Sequence, residues 1–123
     1  MGQPIIAVVD DMFFAAKIRA VAEAVGVEIS FPRNLETLVQ KVRETKPRLI
    51  IVDLHNQKVD VNALASEVKS DDVRLLGFFS HVQTELQRNA LAAGFDQVIP
   101  RSVFARDLQN ILADSSRRDH FVD

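Results

Sequence analysis

The stretch LIIVDL at residues 49–54 runs four successive apolar residues into a single carboxylate, Asp53. A short, unbroken apolar run rich in β-branched residues is typical of a strand that is buried on both faces, as in a parallel sheet. An unpaired charge is costly inside such a strand. We therefore expect Asp53 at its carboxyl end, the edge at which open α/β sheets bind their ligands.

Length and composition indicate one domain of ordinary size. The chain has 123 residues, of which 47% are hydrophobic and 26% are charged, and this length is sufficient for a single core. It has no cysteine, which excludes disulfides and thiolate metal sites. The net charge of −2 gives no reason to expect binding to nucleic acid. Since the sequence shows neither a membrane span nor a signal peptide, we expect a cytoplasmic location.

Apolar runs and helical periodicities predict five repeats of a strand followed by a helix. The strands are predicted at residues 4–9, 27–31, 49–53, 73–79 and 97–99. The helices are predicted at residues 13–25, 35–45, 60–69, 82–93 and 103–113. Residues 1–113 are therefore predicted to form one domain, followed by a flexible C-terminal tail at 114–123.

This regular alternation predicts the α/β class, with a parallel sheet covered by helices on both faces. The specific expectation is a doubly wound, flavodoxin-like (βα)5 domain with right-handed crossovers and strand order 2-1-3-4-5. In that order the first and third strands are neighbours. Asp10 and Asp11, which follow the first strand, should then meet Asp53 at one edge of the sheet.

Three converging carboxylates repel one another, and their pKa values rise unless a cation lies nearby. Mg²⁺ suits such a site, because it takes oxygen ligands and retains several of its waters. One carboxylate could then act as a nucleophile and form an aspartyl phosphate. Acidic residues at strand ends also serve as helix caps or solvated charges, and this second interpretation stays open.

Three motifs together resemble the receiver domain of two-component response regulators, the CheY-like family. The motifs are VVDD at residues 8–11, IVD at 51–53 and AAGFD at 92–96. The resemblance covers about residues 4–113, nearly the whole chain.

The resemblance implies that Asp53 is the phosphoacceptor. It also implies that Asp10, Asp11 and Asp53 bind Mg²⁺, with the backbone carbonyl of His55 as a further ligand. The implied partners are a histidine kinase or phosphotransfer protein and an output protein, without direct contact to nucleic acid or membrane. The implied assembly is a monomer or a weak dimer.

Several positions depart from the pattern of the family. The fourth strand of the family ends in a Thr or Ser hydroxyl, where this sequence has Phe79, with Ser80 one residue further on. The lysine of the fifth strand is replaced by Arg101, which keeps the charge but not the compact ammonium group. The aromatic switch residue three positions earlier is Val98.

These departures leave different functions open. In one, the domain accepts phosphate on Asp53, with Arg101 neutralising it and Ser80 as a possible hydroxyl donor. In another, the carboxylates are retained but the domain is a constitutive protein-interaction module that works unphosphorylated. A third is a small nucleotide- or flavin-binding domain of the same fold. The lack of glycine after the first strand argues against this third function. No complete acid–base or nucleophile system is found, so we do not expect an enzyme.

Phe13 and Phe14 begin the first predicted helix. Successive helical residues are about 100° apart around the axis, so the two rings cannot both face the core. We expect Phe13 to be exposed beside the acidic site, where it could contact a partner.

Overall fold

The computed structural model describes residues 4–56, 58–80 and 84–114, which form a five-stranded parallel sheet in the order β2-β1-β3-β4-β5. The strands are Ile5–Val8 (β1), Ile29–Ser30 (β2), Leu49–Asp53 (β3), Arg74–Phe79 (β4) and Gln97–Pro100 (β5). The helices are Met12–Val25 (α1), Leu35–Thr45 (α2), Val61–Val68 (α3), Thr84–Ala93 (α4), Arg101–Arg106 (α5) and Leu108–Asp114 (α6). The predicted fold class and strand order are confirmed.

The sheet separates two hydrophobic cores, because successive side chains of a strand point to opposite faces. In β1, Ile5 and Ala7 pack with α1, α5 and α6, whereas Ile6 and Val8 pack with α2, α3 and α4. All five residues of β3 are buried. Burial on both faces explains why this central strand has an unbroken apolar run in the sequence.

Two helix ends follow from local sequence signals. Gly26 ends α1 with a φ of 75°, in the left-handed region that glycine adopts without a steric penalty. Asn34 begins α2, and its Oδ1 accepts a hydrogen bond of 2.7 Å from the backbone N–H of Thr37. Both residues lie where the sequence predicts a helix boundary.

Strand β2 is shorter than predicted, with two residues instead of residues 27–31. The backbone N–H of Val27 bonds to the carbonyl of Ala22 at 2.9 Å and so completes the end of α1. The carbonyl of Glu28 accepts from Ile5 at 2.9 Å, where the pairing with β1 begins. The turn out of α1 therefore uses residues that the sequence pattern assigns to the strand.

The last predicted helix, at residues 103–113, begins earlier and is divided in two. Pro100 ends β5 and serves as the N-cap of α5, with a φ of −63° that suits a helix start. Asp107, with a φ of −100° and a ψ of 12°, separates α5 from α6. Asp114, predicted to begin the tail, is the last residue of α6.

The remaining tail prediction, for residues 115–123, lies outside the described residues, and so does the predicted start of the fourth helix at Val82. Within the described ranges, no helix is long and apolar enough to cross a membrane.

Candidate functional site

The three aspartates follow two neighbouring strands of the sheet. β1 and β3 are parallel, with Val8 opposite Val52. Asp53 comes directly after Val52, and Asp10 and Asp11 come shortly after Val8. The register therefore brings all three residues to the carboxyl edge of the sheet, as the sequence predicts.

Asp11 is both a helix cap and one half of an ion pair. Its Oδ1 accepts hydrogen bonds from the backbone N–H groups of Phe13 at 2.9 Å and Phe14 at 3.1 Å. Its Oδ2 accepts from Nη2 of Arg101 at 3.2 Å. These contacts lower the pKa of Asp11, the Phe14 hydrogen bond most and the Arg101 hydrogen bond next. Asp11 is thus an anion with both oxygens engaged.

Arg101 connects this carboxylate to the aromatic part of the core. It is the first residue of α5, and its guanidinium carbon lies 4.1 Å from the ring centroid of Phe14, within the range of a cation–π contact. The Phe14 ring meets Phe78 and Phe104 edge-on, at 5.4 and 5.8 Å between centroids. Phe78 and Phe104 stack at 4.8 Å. The cation is therefore held by a carboxylate on one side and by a buried aromatic cluster on the other.

Asp10 has a different cation. Its Oδ1 lies 3.2 Å from Nζ of Lys58, which comes from the loop between β3 and α3, and the two side chains are 42% and 66% exposed. Since Asp11 pairs with α5, the two consecutive aspartates bind cations on different elements. An exposed ion pair such as Asp10–Lys58 stabilises a protein little.

Asp53 is buried, with 8% of its surface exposed, and is the one charged residue in the described core. Its Oδ1 accepts a hydrogen bond of 2.9 Å from the backbone N–H of His55. Its main-chain carbonyl accepts another, of 3.0 Å, from Asn56. The loop after β3 thus turns back over Asp53. The contact to His55 is through its amide, and a ligand role for its carbonyl stays a prediction.

The end of β4 places an aromatic ring near Asp53. Phe78 is the register partner of Asp53, and Phe79, also buried, is the last residue of the strand. Ser80 follows the strand and is exposed. The structure thus has an apolar side chain where the resemblance calls for a hydroxyl, and a role for Ser80 stays a prediction.

The ligand requirements of the magnesium ion that the resemblance implies can be compared with the acidic side chains present. Mg²⁺ needs several oxygen ligands in near-octahedral geometry. Within the described ranges, no three His, Cys, Asp or Glu side chains are grouped so that they could hold a metal ion. Both Asp11 oxygens are engaged, and Asp10 is paired with Lys58. As arranged, the acidic site does not fit the ion.

Two contacts of this site were not anticipated from the sequence. The sequence predicts that Arg101 neutralises a phosphoryl group on Asp53, whereas the guanidinium contacts Asp11 and the Phe14 ring. The sequence gives no role to Lys58, for which the one signal is its position in the loop after Asp53. The predicted exposure of Phe13 is confirmed, and Met12 beside it is exposed as well.

Solved structures similar to this chain are response-regulator domains. A response regulator from Hahella chejuensis superimposes with a TM-score of 0.82 at 20% identity, over 96% of this chain and 98% of that one. The signal receiver domain of a response regulator from Bermanella marisrubri gives 0.78 at 19% identity, over 95% and 100%. A two-component response regulator from Clostridium difficile gives 0.78 at 20% identity, over 96% and 99%.

No protein-family model matches the sequence, and no curated protein matches it either. The similarity therefore lies in the three-dimensional structure, where it extends over nearly the whole chain. At this level of identity it concerns the fold, and the resemblance predicted from the sequence is confirmed to that extent. The chain has the receiver-domain fold of response regulators.

Proposed function

We propose that the chain is a receiver-type signalling module that binds an output protein directly and works without phosphorylation of Asp53. The observation that carries the proposal is the exposure of Met12 and Phe13, at 83% and 90%, in the first turn of α1. The next residue toward the N-terminus is Asp11 of the acidic site. Two large apolar side chains are thus exposed to solvent beside the carboxyl edge of the sheet, where the three aspartates lie.

The chemistry of this surface indicates the kind of partner. A solitary exposed apolar residue needs no explanation, but Met12 and Phe13 together expose apolar surface of the kind that a partner protein can bury. Burying a phenylalanine side chain contributes about 1.5–3 kcal/mol. The partner should therefore offer an apolar pocket for Phe13 and polar groups around it that meet Asp10 and Lys58.

The surroundings of Asp53 support the second half of the proposal. A phosphoryl group would add negative charge beside Asp10 and Asp11, and it would need cations and hydrogen-bond donors. Arg101 is already bound to Asp11 and to the Phe14 ring, and the end of β4 presents Phe79 instead of a hydroxyl. Of the groups that the resemblance offers to a phosphoryl group, Arg101 is thus engaged with Asp11, and the hydroxyl is found only one residue further on, at the exposed Ser80.

A site-specific photo-crosslinker at Phe13 tests the contact in cells. We expect one predominant adduct from position 13, identified by mass spectrometry, and none from a crosslinker at Glu36, an exposed residue on α2 on the other face of the sheet. The adduct should disappear when unlabelled native protein competes and persist when the competitor is Phe13→Ala. Equal crosslinking from both positions would contradict the proposed surface.

A second candidate function is phosphoacceptance on Asp53 from a histidine kinase or phosphotransfer protein. It is favoured by the position of Asp53 at the carboxyl end of β3, at the same edge as Asp10 and Asp11. Incubation with acetyl phosphate and Mg²⁺, followed by intact-mass measurement, separates the two functions. We expect no phosphoryl adduct. An adduct on the native protein that is lost in Asp53→Asn would establish the second function instead.

A further inference from the structure

We infer that Lys58 and Arg101 are built-in cations that take the place of a divalent metal at the acidic edge, so that the native chain does not bind Mg²⁺ there. Lys58 neutralises Asp10, and Arg101 neutralises Asp11. The inference rests on the proposed function in one respect, namely that the site has no phosphoryl transfer to support. Beyond the proposed function, the inference explains how the negative charge of the site is balanced without phosphoryl transfer.

The charges of the site account for the replacement. Asp10, Asp11 and Asp53 bring three carboxylates to one edge of the sheet, and Lys58 and Arg101 bring two positive charges to it. One negative charge remains, where the three carboxylates alone would carry three. The repulsion that makes a metal ion favourable is therefore already relieved. A bound ion would also leave Lys58 and Arg101 without their carboxylate partners beside it.

The two cations differ in how firmly they are held. Arg101 has a hydrogen bond to Asp11, lies over the Phe14 ring and is 35% exposed. Lys58 has one ion pair, is 66% exposed and lies in a loop. A metal ion on Asp11 would have to displace a cation that the Phe14 ring also holds in place, whereas displacement of Lys58 breaks one exposed pair. Arg101 is thus the main barrier to metal binding.

The position of Arg101 also gives the site a fixed state. Its contacts join the first turn of α1 to the first residue of α5 without any ligand. A metal ion would make such a connection depend on its own concentration. The built-in cation makes the connection independent of a metal ion, which suits a module that works constitutively.

Calorimetric titration of the full-length protein with Mg²⁺ tests the inference. We expect no binding by the native protein, weak binding by Arg101→Gln, and the tightest binding by Lys58→Gln/Arg101→Gln. The affinity of the double variant should be at least about tenfold above the weakest that the titration detects, because both competing cations are gone. Adding Asp53→Asn to the double variant should abolish this binding. In the Lys58→Gln/Arg101→Gln variant, paramagnetic broadening by Mn²⁺ in nuclear magnetic resonance spectra should centre on residues 10, 11 and 53.

The matched control is Lys69→Gln/Arg106→Gln, which removes the same two charges from ion pairs with Asp96 and Asp107. We expect this variant to behave as the native protein does. Mg²⁺ binding by the native protein, equal binding by the two double variants, or no binding by the Lys58/Arg101 variant would each overturn the inference. If that variant does not fold, Arg101→Lys, which keeps the charge but loses the planar contact with Phe14, should bind the ion more weakly than Arg101→Gln. The crosslinking result at Phe13 does not depend on any of these outcomes, so the two proposals can fail separately.

Discussion

Asp11 and Asp60 cap two helices in nearly the same way, yet only one of them belongs to the acidic site. Asp11 precedes α1 with φ −73° and ψ 112°, and Asp60 precedes α3 with φ −71° and ψ 113°. Each Oδ1 accepts two backbone hydrogen bonds, at 2.9 and 3.1 Å for Asp11 and at 3.0 and 3.1 Å for Asp60. Asp11 also binds Arg101, whereas Asp60 has no ion pair among the described residues.

The difference originates one helical turn away from each cap. The third residue after Asp11 is Phe14, whose ring supports the guanidinium of Arg101. The corresponding residue after Asp60 is Ala63, which has no ring to offer. Local sequence therefore suffices to make a cap, but a cap becomes part of a charged site only where the tertiary structure brings a supported cation to it.

Removal of the supporting ring should have the largest effect. Phe14→Ala is expected to lower the free energy of unfolding by about 3–5 kcal/mol, since Phe14 is buried against Phe78 and Phe104. Urea denaturation measures this loss. In the nuclear magnetic resonance spectrum of the variant, the resonance of the Arg101 side chain should also shift, because the guanidinium loses its aromatic contact.

Leu64→Ala in α3 is the control for that experiment, because Leu64 is fully buried on the other face of the sheet. It should lower stability by about 2–5 kcal/mol and leave the Arg101 resonance unchanged. An unchanged resonance in Phe14→Ala would show that the ring does not hold the cation.

The two caps can be compared directly by alanine substitution. Asp60→Ala should cost about 0.5–2 kcal/mol, the usual range for loss of an N-cap. Asp11→Ala should cost more, because it removes the same cap and also leaves Arg101 without its carboxylate. Urea denaturation at neutral pH measures both variants, and equal losses would mean that the Arg101 contact adds nothing to stability.

The fold could be predicted from the sequence because its signals are local or periodic. Buried parallel strands have unbroken apolar runs, and Gly26 and Asn34 mark helix ends by their own chemistry. The bounds that could not be predicted depend on hydrogen-bond competition. Val27, for instance, has strand propensity, but its N–H is used by the end of α1.

The candidate site was predictable only in part, for a similar reason. Strand order places the three aspartates at one edge, and strand order follows from the alternation of elements. The cation that pairs with each aspartate cannot be predicted from that alternation. Lys58 and Arg101 are distant from Asp10 and Asp11 in sequence and have long, flexible side chains. Which oxygen a guanidinium reaches is decided by packing on Phe14, and no pattern in the sequence expresses that contact.

The pH dependence of stability should differ between the native protein and the Asp11→Asn variant. The pKa of Asp11 is lowered in the folded state, so this carboxylate stabilises the fold above its unfolded pKa of about 3.9 and loses that contribution as the pH falls through the lower folded value. The difference in melting temperature between native protein and Asp11→Asn should be constant near neutral pH and shrink below about pH 4.

Arg101→Gln is the informative comparison in the same series of melting curves. The largest cause of the lowered pKa is the hydrogen bond from the Phe14 backbone, which this variant retains. Arg101→Gln should therefore still lose most of the stability that the native protein loses as the pH falls. Asp11→Asn should not show this loss. A difference between native protein and Asp11→Asn that is the same at every pH would contradict the assignment of the shift to Asp11.

Lys58→Gln should have the smallest effect on stability, within about 0.5 kcal/mol, because its ion pair with Asp10 is exposed on both sides. Arg101→Gln should lower stability further, since it loses a hydrogen bond and an aromatic contact. Urea denaturation of the two variants under identical salt conditions provides the measurement. If both lose the same stability, Arg101 is held no more firmly than Lys58, and the two cations should then resist magnesium equally.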